Sequence, residues 1–441
     1  MGPEIDAVTT DDTMPPRADV VIIGGGIIGI SAALFLARQG VSVVLCEKGK
    51  LAGEQSSRNW GWVRKTGRDL REVPLIIESL RMWKEIEREG IATGFRECGV
   101  LYVGQTDADL GGYQTWLDMV QPYQMGSRMI GGAELAGHLK GANRAYKGAL
   151  YTATDGRAEP QKAVPAMAAA ARAAGAIVLE NCAVRGLDRQ AGRVVGVVTE
   201  RGVIACDSAI LASGAWSRLF CGSLDLRLPQ LKVRASVYRT APIADGPETS
   251  AWLGTFAYRR RLDGGYTIAN GNSNVVPITP DTFKFFREFL PTAKAERRGL
   301  RLRLDHRFMQ EARTPKHWAM DKPSPFETIR MLDPDPVTSI NAEAATSLGE
   351  VFPLFRGVPI TQQWAGMIDV TPDVVPVISE VDSVPGLVIA TGFSGHGFGI
   401  GPAAGRLAAE IATGRPTIVD ATPFRYSRFT DGSPITFQSG L

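Results

Sequence analysis

A chain of 441 residues, 44% hydrophobic and 22% charged, is globular in composition and long enough for two domains with sizeable cores. Its net charge of +3 gives no reason to expect nucleic acid as a partner. Five cysteines without a C-x-x-C pair and four scattered histidines offer no zinc or other metal motif, and the odd cysteine count points to a reducing cytoplasmic setting.

Residues 1–18, with Pro3, Pro15 and Pro16, read as a flexible leader; they are acidic and lack the basic and apolar regions of a signal peptide. The run Val20–Ile23 is too short and too β-branched for a helix and stops at a glycine cluster, which predicts a buried parallel strand. Gly24, Gly26 and Gly29 then fit G-x-G-x-x-G at the turn into a helix that begins near Ile27 and Ile28 and carries Ile30, Leu34 and Phe35. In that pattern the first glycine makes the tight turn, the second admits a pyrophosphate and the third lets helix and strand pack closely. The helix N-terminus adds free amides and a positive dipole end. Gly40 closes the helix, residues 41–46 form the second strand, and Glu47 falls about 20 residues on, where a carboxylate takes ribose hydroxyls. The glycines and the polar residues after this apolar stretch argue against a membrane span.

Residues 48–64 lack periodicity and mix small, polar and aromatic side chains, as a binding loop does. A helix is predicted over 70–89 with Leu75, Leu80, Trp83 and Ile86 on one stripe, then a strand over 99–103. An alanine-rich packing helix follows over 161–173, and strands over 177–180, 183–188, 194–199, 202–206 and 208–211, the last running into the small-residue turn 212–217. Residues 231–238 and 256–270 alternate around a turn at 263–265, which predicts antiparallel sheet and a second domain. In the module 275–350, Phe283, Phe286, Phe289 and Leu290 share a helical face before Pro291, and 300–304 alternates as a half-exposed strand. Ten basic against five acidic residues between Asp281 and Trp318 read as a packed insertion or subunit contact with a solvated basic face, in preference to a membrane-surface contact. A strand over 386–391 leads to the glycine-rich loop 392–402, which opens a helix running from 403 to about 413 and gives a second place where backbone meets an electron-rich ligand.

The fingerprint with Glu47, the 212–217 turn, the 258–270 hairpin, the 364–378 segment and the 392–402 loop together resemble the flavin-dependent D-amino-acid oxidase superfamily over about residues 19–428. Within it, Ala52-Gly-Glu-Gln-Ser56, Asn181-Cys-Ala-Val-Arg-Gly186, Trp216-Ser-Arg-Leu-Phe220, Ala421-Thr-Pro-Phe424 and the extra module look like the Proteus-type bacterial L-amino-acid deaminases. The resemblance implies an α/β, overall α+β, chain: a Rossmann-type FAD-binding domain (19–92, 153–226, 358–420) and an antiparallel-sheet substrate domain (93–152, 227–357) with a helical insertion, between a leader and a 421–441 tail. It implies FAD as cofactor, cradled by Gly24, Gly26, Ile27, Ile28, Gly29, Glu47, Lys48, Ser56, Ser57, Arg58, Val184, Ser213, Gly214, Trp216, Gly366, Gly395, His396, Gly397, Phe398, Gly399 and Ile400. The flavin-linking cysteine of sarcosine-oxidase-like members aligns with Gly366, so the FAD is expected to be non-covalent.

The implied reaction oxidises the C–N bond of an amino acid or N-substituted amino acid to an imine, hydrolysed to an oxo acid and an amine or ammonia. Arg259 aligns with the deaminase carboxylate-binding arginine, and alternation puts it on one face with Arg261; bidentate carboxylate binding suits arginine. Arg64 aligns with the loop arginine of sarcosine oxidases, whose carboxylate-binding lysine aligns with Gly399. His396, between glycines, is expected near the flavin, with Trp60, Trp62, Tyr238 and Asp369 in the substrate pocket. Thr267 stands where sarcosine oxidases carry an oxygen-activating lysine, which favours an electron acceptor such as a quinone or other carrier over oxygen. An oxygen-using oxidase of a secondary or D-amino acid is the alternative, and an NAD(P)H-dependent flavin monooxygenase a further one. The expected location is cytoplasmic, with or without peripheral contact at the inner membrane. The deaminases' N-terminal membrane anchor is not matched by the residues that carry the resemblance, so the resemblance leads to no expectation of an anchored protein.

Overall fold

The computed structural model describes residues 2–296 and 299–437. Its central sheet has six strands in the order Val377–Glu380, Leu387–Thr391, Ser208–Leu211, Val20–Ile23, Val43–Cys46 and Ile177–Leu179. The pairings are parallel except for Val377–Glu380, which runs against its neighbour. Val20–Ile23 and Val43–Cys46 are buried at every residue, as strands covered on both faces are. On one face the Ile27–Arg38 helix lies between the Pro160–Ala173 and Gly397–Ala412 helices. A Cβ on Gly405 would stand 2.5 Å from Ser31 Cβ, so glycine there lets two helices cross at contact distance. The other face is closed by Leu187, Val197, Trp216 and Phe220.

A second, larger sheet roofs the C-terminal ends of the parallel strands. Its spine is Leu231–Thr240, paired antiparallel with Ile360–Val370 from Leu231 opposite Val370 to Thr240 opposite Ile360. The predicted hairpin is Phe256–Arg260 with Tyr266–Asn270. The sheet is mixed, not wholly antiparallel: Val100–Val103 runs parallel to Ser250–Trp252, and Asn274–Pro277 to Leu300–Arg303, because a helical crossover separates the latter pair. The Thr338–Val351 helix covers the outer face over Tyr238, Tyr258, Tyr266 and Phe352.

Three expectations change. Residues 2–18 pack on the body: Asp6 pairs with Lys162 at 2.6 Å and Asp11 with Arg172 at 2.6 Å, so the leader's acidity is used against the alanine-rich helix. The aromatic stripe of the insertion breaks at Phe285, giving two short helices, Pro280–Lys284 and Phe286–Ala295, with Pro291 inside the second. Phe285 is the buried ring, whereas Phe283 and Phe286 are 68% and 58% exposed. Arg297 and Arg298 lie outside the described residues. The last long helix starts at Gly397, six residues early. Its glycines oppose a helix by propensity but are demanded by contact: a Cβ on Gly401 would meet Ile27 at 2.8 Å. Part of the C-terminal tail is also anchored, with Phe424 buried and Arg428 Nε paired with Asp373 at 2.9 Å.

Candidate active site

The glycine turn and first helix line an elongated cleft of about 1160 Å³. Gly24 has φ +116°, and a Cβ there would lie 2.5 Å from the Ala212 carbonyl oxygen. A Cβ on Gly29 would stand 2.1 Å from the Gly24 oxygen, so glycine is needed where helix meets strand. At Gly26, Ser56 Oγ is the neighbour, at 3.0 Å from such a Cβ, and it accepts a hydrogen bond from Ile27 N at 2.9 Å. Gly26 itself gives the helix no side-chain cap, which leaves first-turn amides and the dipole end for an anion.

Glu47 accepts hydrogen bonds from Gly25 N at 2.7 Å and Gly49 N at 2.8 Å. Burial pushes its carboxyl pKa up, with Lys48 opposing. The fixed carboxylate keeps lone pairs for hydroxyl donors. Ile28, Val184, Ser213, Gly214 and Trp216 also line the cleft. Lys48 lines it with its stem, but its ammonium donates to Glu54 Oε1 at 2.8 Å, Ile329 O at 3.0 Å and Arg330 O at 2.8 Å, tying the insertion to the cleft wall. At the far end Gly395, Gly397 and Phe398 bring a second helix N-terminus to the same space.

Several expected cofactor residues stand behind the cleft. Ser57 is buried and its hydroxyl donates to Glu54 O. Arg58 is 2% exposed and is consumed by Asp333 at 2.7 Å and the Ala365 and Gly53 carbonyls. A Cβ on Gly366 would come within 2.0 Å of Gln55 Oε1 and displace the end of that side chain; it is Gln55 that lines the cleft. Gly399 O accepts from Ser79 Oγ at 2.7 Å and Trp83 Nε1 at 3.0 Å, and Ile400 is core. Asp369 borders the cleft but serves its frame, accepting from Gly392 N at 2.7 Å and Gln230 Nε2 at 3.2 Å. Tyr238 is misplaced by the sequence reading: alternation along its strand turns it to the outer face, into the Tyr258–Tyr266–Phe352 core.

Beyond the Gly395–Phe398 end lies a buried polar group. His396 Nδ1 is 2.9 Å from Glu72 Oε2, and Arg68 Nη1 is 3.9 Å from the same oxygen. Arg68 Nε donates to Arg64 O at 3.2 Å, and a Cβ on Gly399 would lie 3.5 Å from Arg68 Nη2. Arg64 sits over the Tyr102 ring at 5.3 Å, and Trp60, Trp62, Tyr102 and Trp252 form one aromatic wall. Burial lowers the Arg68 pKa to about 10, with Arg64 adding to the effect. Burial also lowers the pKa of His396, Arg68 acting in the same sense and Glu72 against it, which shifts the balance towards the neutral imidazole. Glu72, which burial alone would raise, is held below its ordinary value by His396 and Arg68. Arg64 and Arg68 bring two guanidiniums to one carboxylate; Arg64 Nη1 donates to Thr66 O, whereas Arg68 Nη1 is buried without a partner and is a donor free for an anion, Glu72 Oε1 being an acceptor still open to a donor.

Arg259 does not join them. It is 1% exposed and grips Glu159 with Nη1 at 2.8 Å and Nη2 at 3.0 Å, while Nε donates to Trp60 O. Its charge is spent on holding the roof hairpin to the Trp60 loop. Sequence reasoning missed Arg68, Glu72 and Glu159. The signal for the first two was the charged run Arg68-Asp-Leu-Arg-Glu72 directly before a strongly apolar helical stripe, where a helix start inside a core has to bury charge.

The family model described as DAO, FAD dependent oxidoreductase, matches residues 19–411. The L-amino acid deaminase structure from Proteus myxofaciens, solved with anthranilate, superposes with a TM-score of 0.94 at 31% identity, covering 97% of this chain and 97% of that one. The glycine oxidase of Pseudomonas putida is 24% identical over 92% of this chain and 97% of its own length. The 4-methylaminobutanoate oxidase (formaldehyde-forming) of Paenarthrobacter nicotinovorans is 29% identical over 62% of this chain, which spans only 33% of that protein. The two-ended cleft, with glycines at backbone-contact positions, a fixed carboxylate at one end and helix N-termini at both, fits an extended FAD. The chain thus belongs to the DAO family of FAD dependent oxidoreductases, and FAD is its cofactor.

Proposed function

We propose that the chain oxidises the C–N bond of an amino acid or N-substituted amino acid, yielding after hydrolysis an oxo acid with ammonia or an amine. The observation that carries this reading is the buried, unpartnered Nη1 of Arg68 beside the Gly397 end of the cleft, with a second guanidinium, Arg64, close by. Removal of two electrons from the C–N bond is the chemistry FAD supplies when bound. Arg64 and Arg68 bind the substrate carboxylate, Arg68 from the side where Gly399 leaves space. Glu72 orients His396 and balances part of the arginine charge. Glu72 accepts from Nδ1–H, so the neutral imidazole turns its Nε2 lone pair towards the amine. Trp60, Trp62 and Tyr102 wall the substrate side chain and exclude water. Arg259 holds the Trp60 loop through Glu159 and acts on substrate only through that loop.

Thr267, 3% exposed in the roof opposite Arg259, brings no positive charge to the site, which supports re-oxidation by a carrier other than oxygen. A cytoplasmic location is part of this proposal. Among the described residues no helix is long and apolar enough to cross a membrane, and the exposed Phe283, Phe286, Leu302 and Leu304 give a peripheral contact its surface.

The test is anaerobic reduction of the FAD-loaded protein by a panel of L-, D- and N-alkyl amino acids, followed by air. Bleaching by one class names the substrate, and slow recovery in air with fast recovery on an artificial acceptor supports the dehydrogenase form. Bleaching by NADPH and by no amine would overturn the proposal.

A further inference from the structure

A second cleft of about 1720 Å³ opens between the insertion and the cofactor-binding body, and Trp216 and Met367 line both it and the cofactor cleft. Its walls carry six cationic side chains, Arg218, Arg227, Lys232, Lys284, Arg307 and Lys316, against four carboxylates. The carboxylates are already engaged. Asp281 is 3.0 Å from Arg218, Glu311 is 2.9 Å from Lys232, Asp333 is 2.7 Å from Arg58, and Asp225 faces His317 at 3.9 Å. Arg227 pairs with Glu288.

Arg307, Lys284 and Lys316 remain without a carboxylate partner among the described residues. The Arg307 guanidinium instead points Nη1 at Met367 Sδ, 3.0 Å away, on the residue shared by the two clefts. Behind it Arg234 is 8% exposed and has an unpartnered Nε. Arg218 is 9% exposed, lines the cleft, and its Nε is also unpartnered. Burial and then the proximity of Arg307 hold the Arg234 guanidinium below its ordinary pKa. The remaining wall is apolar, with Leu219, Leu226, Ile329, Met331 and Leu332. Arg218, Arg227 and Arg307 come from separate segments to line one cleft whose cations outnumber its acids, the make-up of an oxyanion site, and the apolar wall beside them suits a hydrocarbon body.

We propose that this cleft binds a small amphipathic anion, a carboxylate or phosphate head on an apolar body, at a site separate from the Arg64–Arg68 site and in contact with the cofactor cleft through Trp216 and Met367. The head lies between Arg307 and Arg218, and the body runs along Leu219, Leu226 and Leu332. The site rests on residues that the amino-acid reading does not use, so the two stand or fall separately.

The test titrates FAD-loaded protein with decanoate, decanol and decyl phosphate, reading heat and the visible flavin band. Decanoate and decyl phosphate should bind saturably and perturb the band; the tighter of the two identifies the head group. Decanol should bind at least tenfold more weakly. Arg307→Gln should weaken the anions about tenfold, equivalent to about 1.4 kcal/mol, with FAD content unchanged. Lys284→Gln, on the exposed Pro280–Lys284 helix, gives a second, milder loss should Arg307→Gln fail to fold. Saturating amino acid should leave the titration in place. Equal binding of decanol, indifference to both substitutions, or displacement by the amino acid would each overturn the proposal.

Discussion

Arg259→Met separates the two roles open to this arginine. Its side chain and that of Glu159 are 1% and 9% exposed and joined by two hydrogen bonds of 2.8 and 3.0 Å. Removing one member of a buried pair leaves an uncompensated charge, at a cost of about 3–5 kcal/mol. Arg259→Met should therefore lower the thermal midpoint of the FAD-loaded protein by several degrees. Arg259→Met with Glu159→Gln should recover most of that loss, since no buried charge is left. The pH dependence carries a sign. Burial raises the Glu159 pKa, but Arg259 outweighs it and holds the group below its ordinary value. A carboxylate depressed in this way adds stability above its unfolded pKa, about 4.3, and loses it as the pH falls through the folded value. Without Arg259, burial is opposed only by the Leu262 amide and by Arg261, so the Glu159 pKa rises, and the defect of the single variant should shrink as the pH is lowered from 7 towards 5. An unchanged melting profile together with a large rise in KM would refute this reasoning and make Arg259 a substrate ligand.

Arg68→Gln, by contrast, should leave FAD content intact and raise the amino-acid KM by about 10- to 100-fold, the loss of a charge-assisted contact of about 1.5–3 kcal/mol; steady-state kinetics decide it, and unchanged KM removes Arg68 from the site. Gly29→Ala puts a Cβ 2.1 Å from the Gly24 oxygen, so the helix must withdraw at about 1–3 kcal/mol, and the ratio of flavin to protein absorbance after dialysis should fall. Since burial and Arg68 lower the His396 pKa while Glu72 raises it, the acid limb of kcat/KM should lie below the ordinary value of about 6.5, and Glu72→Gln should move it lower still; a limb above 6.5 would contradict the assignment. Phe283→Ser with Leu302→Ser should weaken co-sedimentation with anionic lipid vesicles, and equal sedimentation of both proteins would remove the insertion from any membrane contact.

Local pattern was enough for the frame. The strand Val20–Ile23, its glycine turn and Glu47 depend on residues within one short segment, and each side chain meets the contact its spacing implies. The same holds for the hairpin at 256–270 and the stripe Leu75, Leu80, Trp83, Ile86, all buried. Where the reading failed, a contact from far along the chain overrode a local preference. The glycines at 397–401 looked like loop until the first helix and Trp83 were packed against them. Phe283 and Phe286 matched a helical period, but the break at Phe285 turns them to solvent.

The arginines show most plainly what pattern cannot supply. Alternation separated Arg259 and Arg261 from Arg260, and it put Tyr238 on a definite face, yet which side of the sheet meets the cleft is set by the Ile360–Val370 strand and the Thr338–Val351 helix, both more than 75 residues on. Arg259 finds its acid 100 residues upstream at Glu159, and His396 finds its own 324 residues upstream at Glu72. An arginine's role follows from whether a carboxylate of the same chain reaches it. Arg259 is reached on both terminal nitrogens and becomes structure; Arg68 is reached at 3.9 Å by an oxygen that His396 already holds, which is why the carboxylate contact is proposed for Arg68 and not for Arg259.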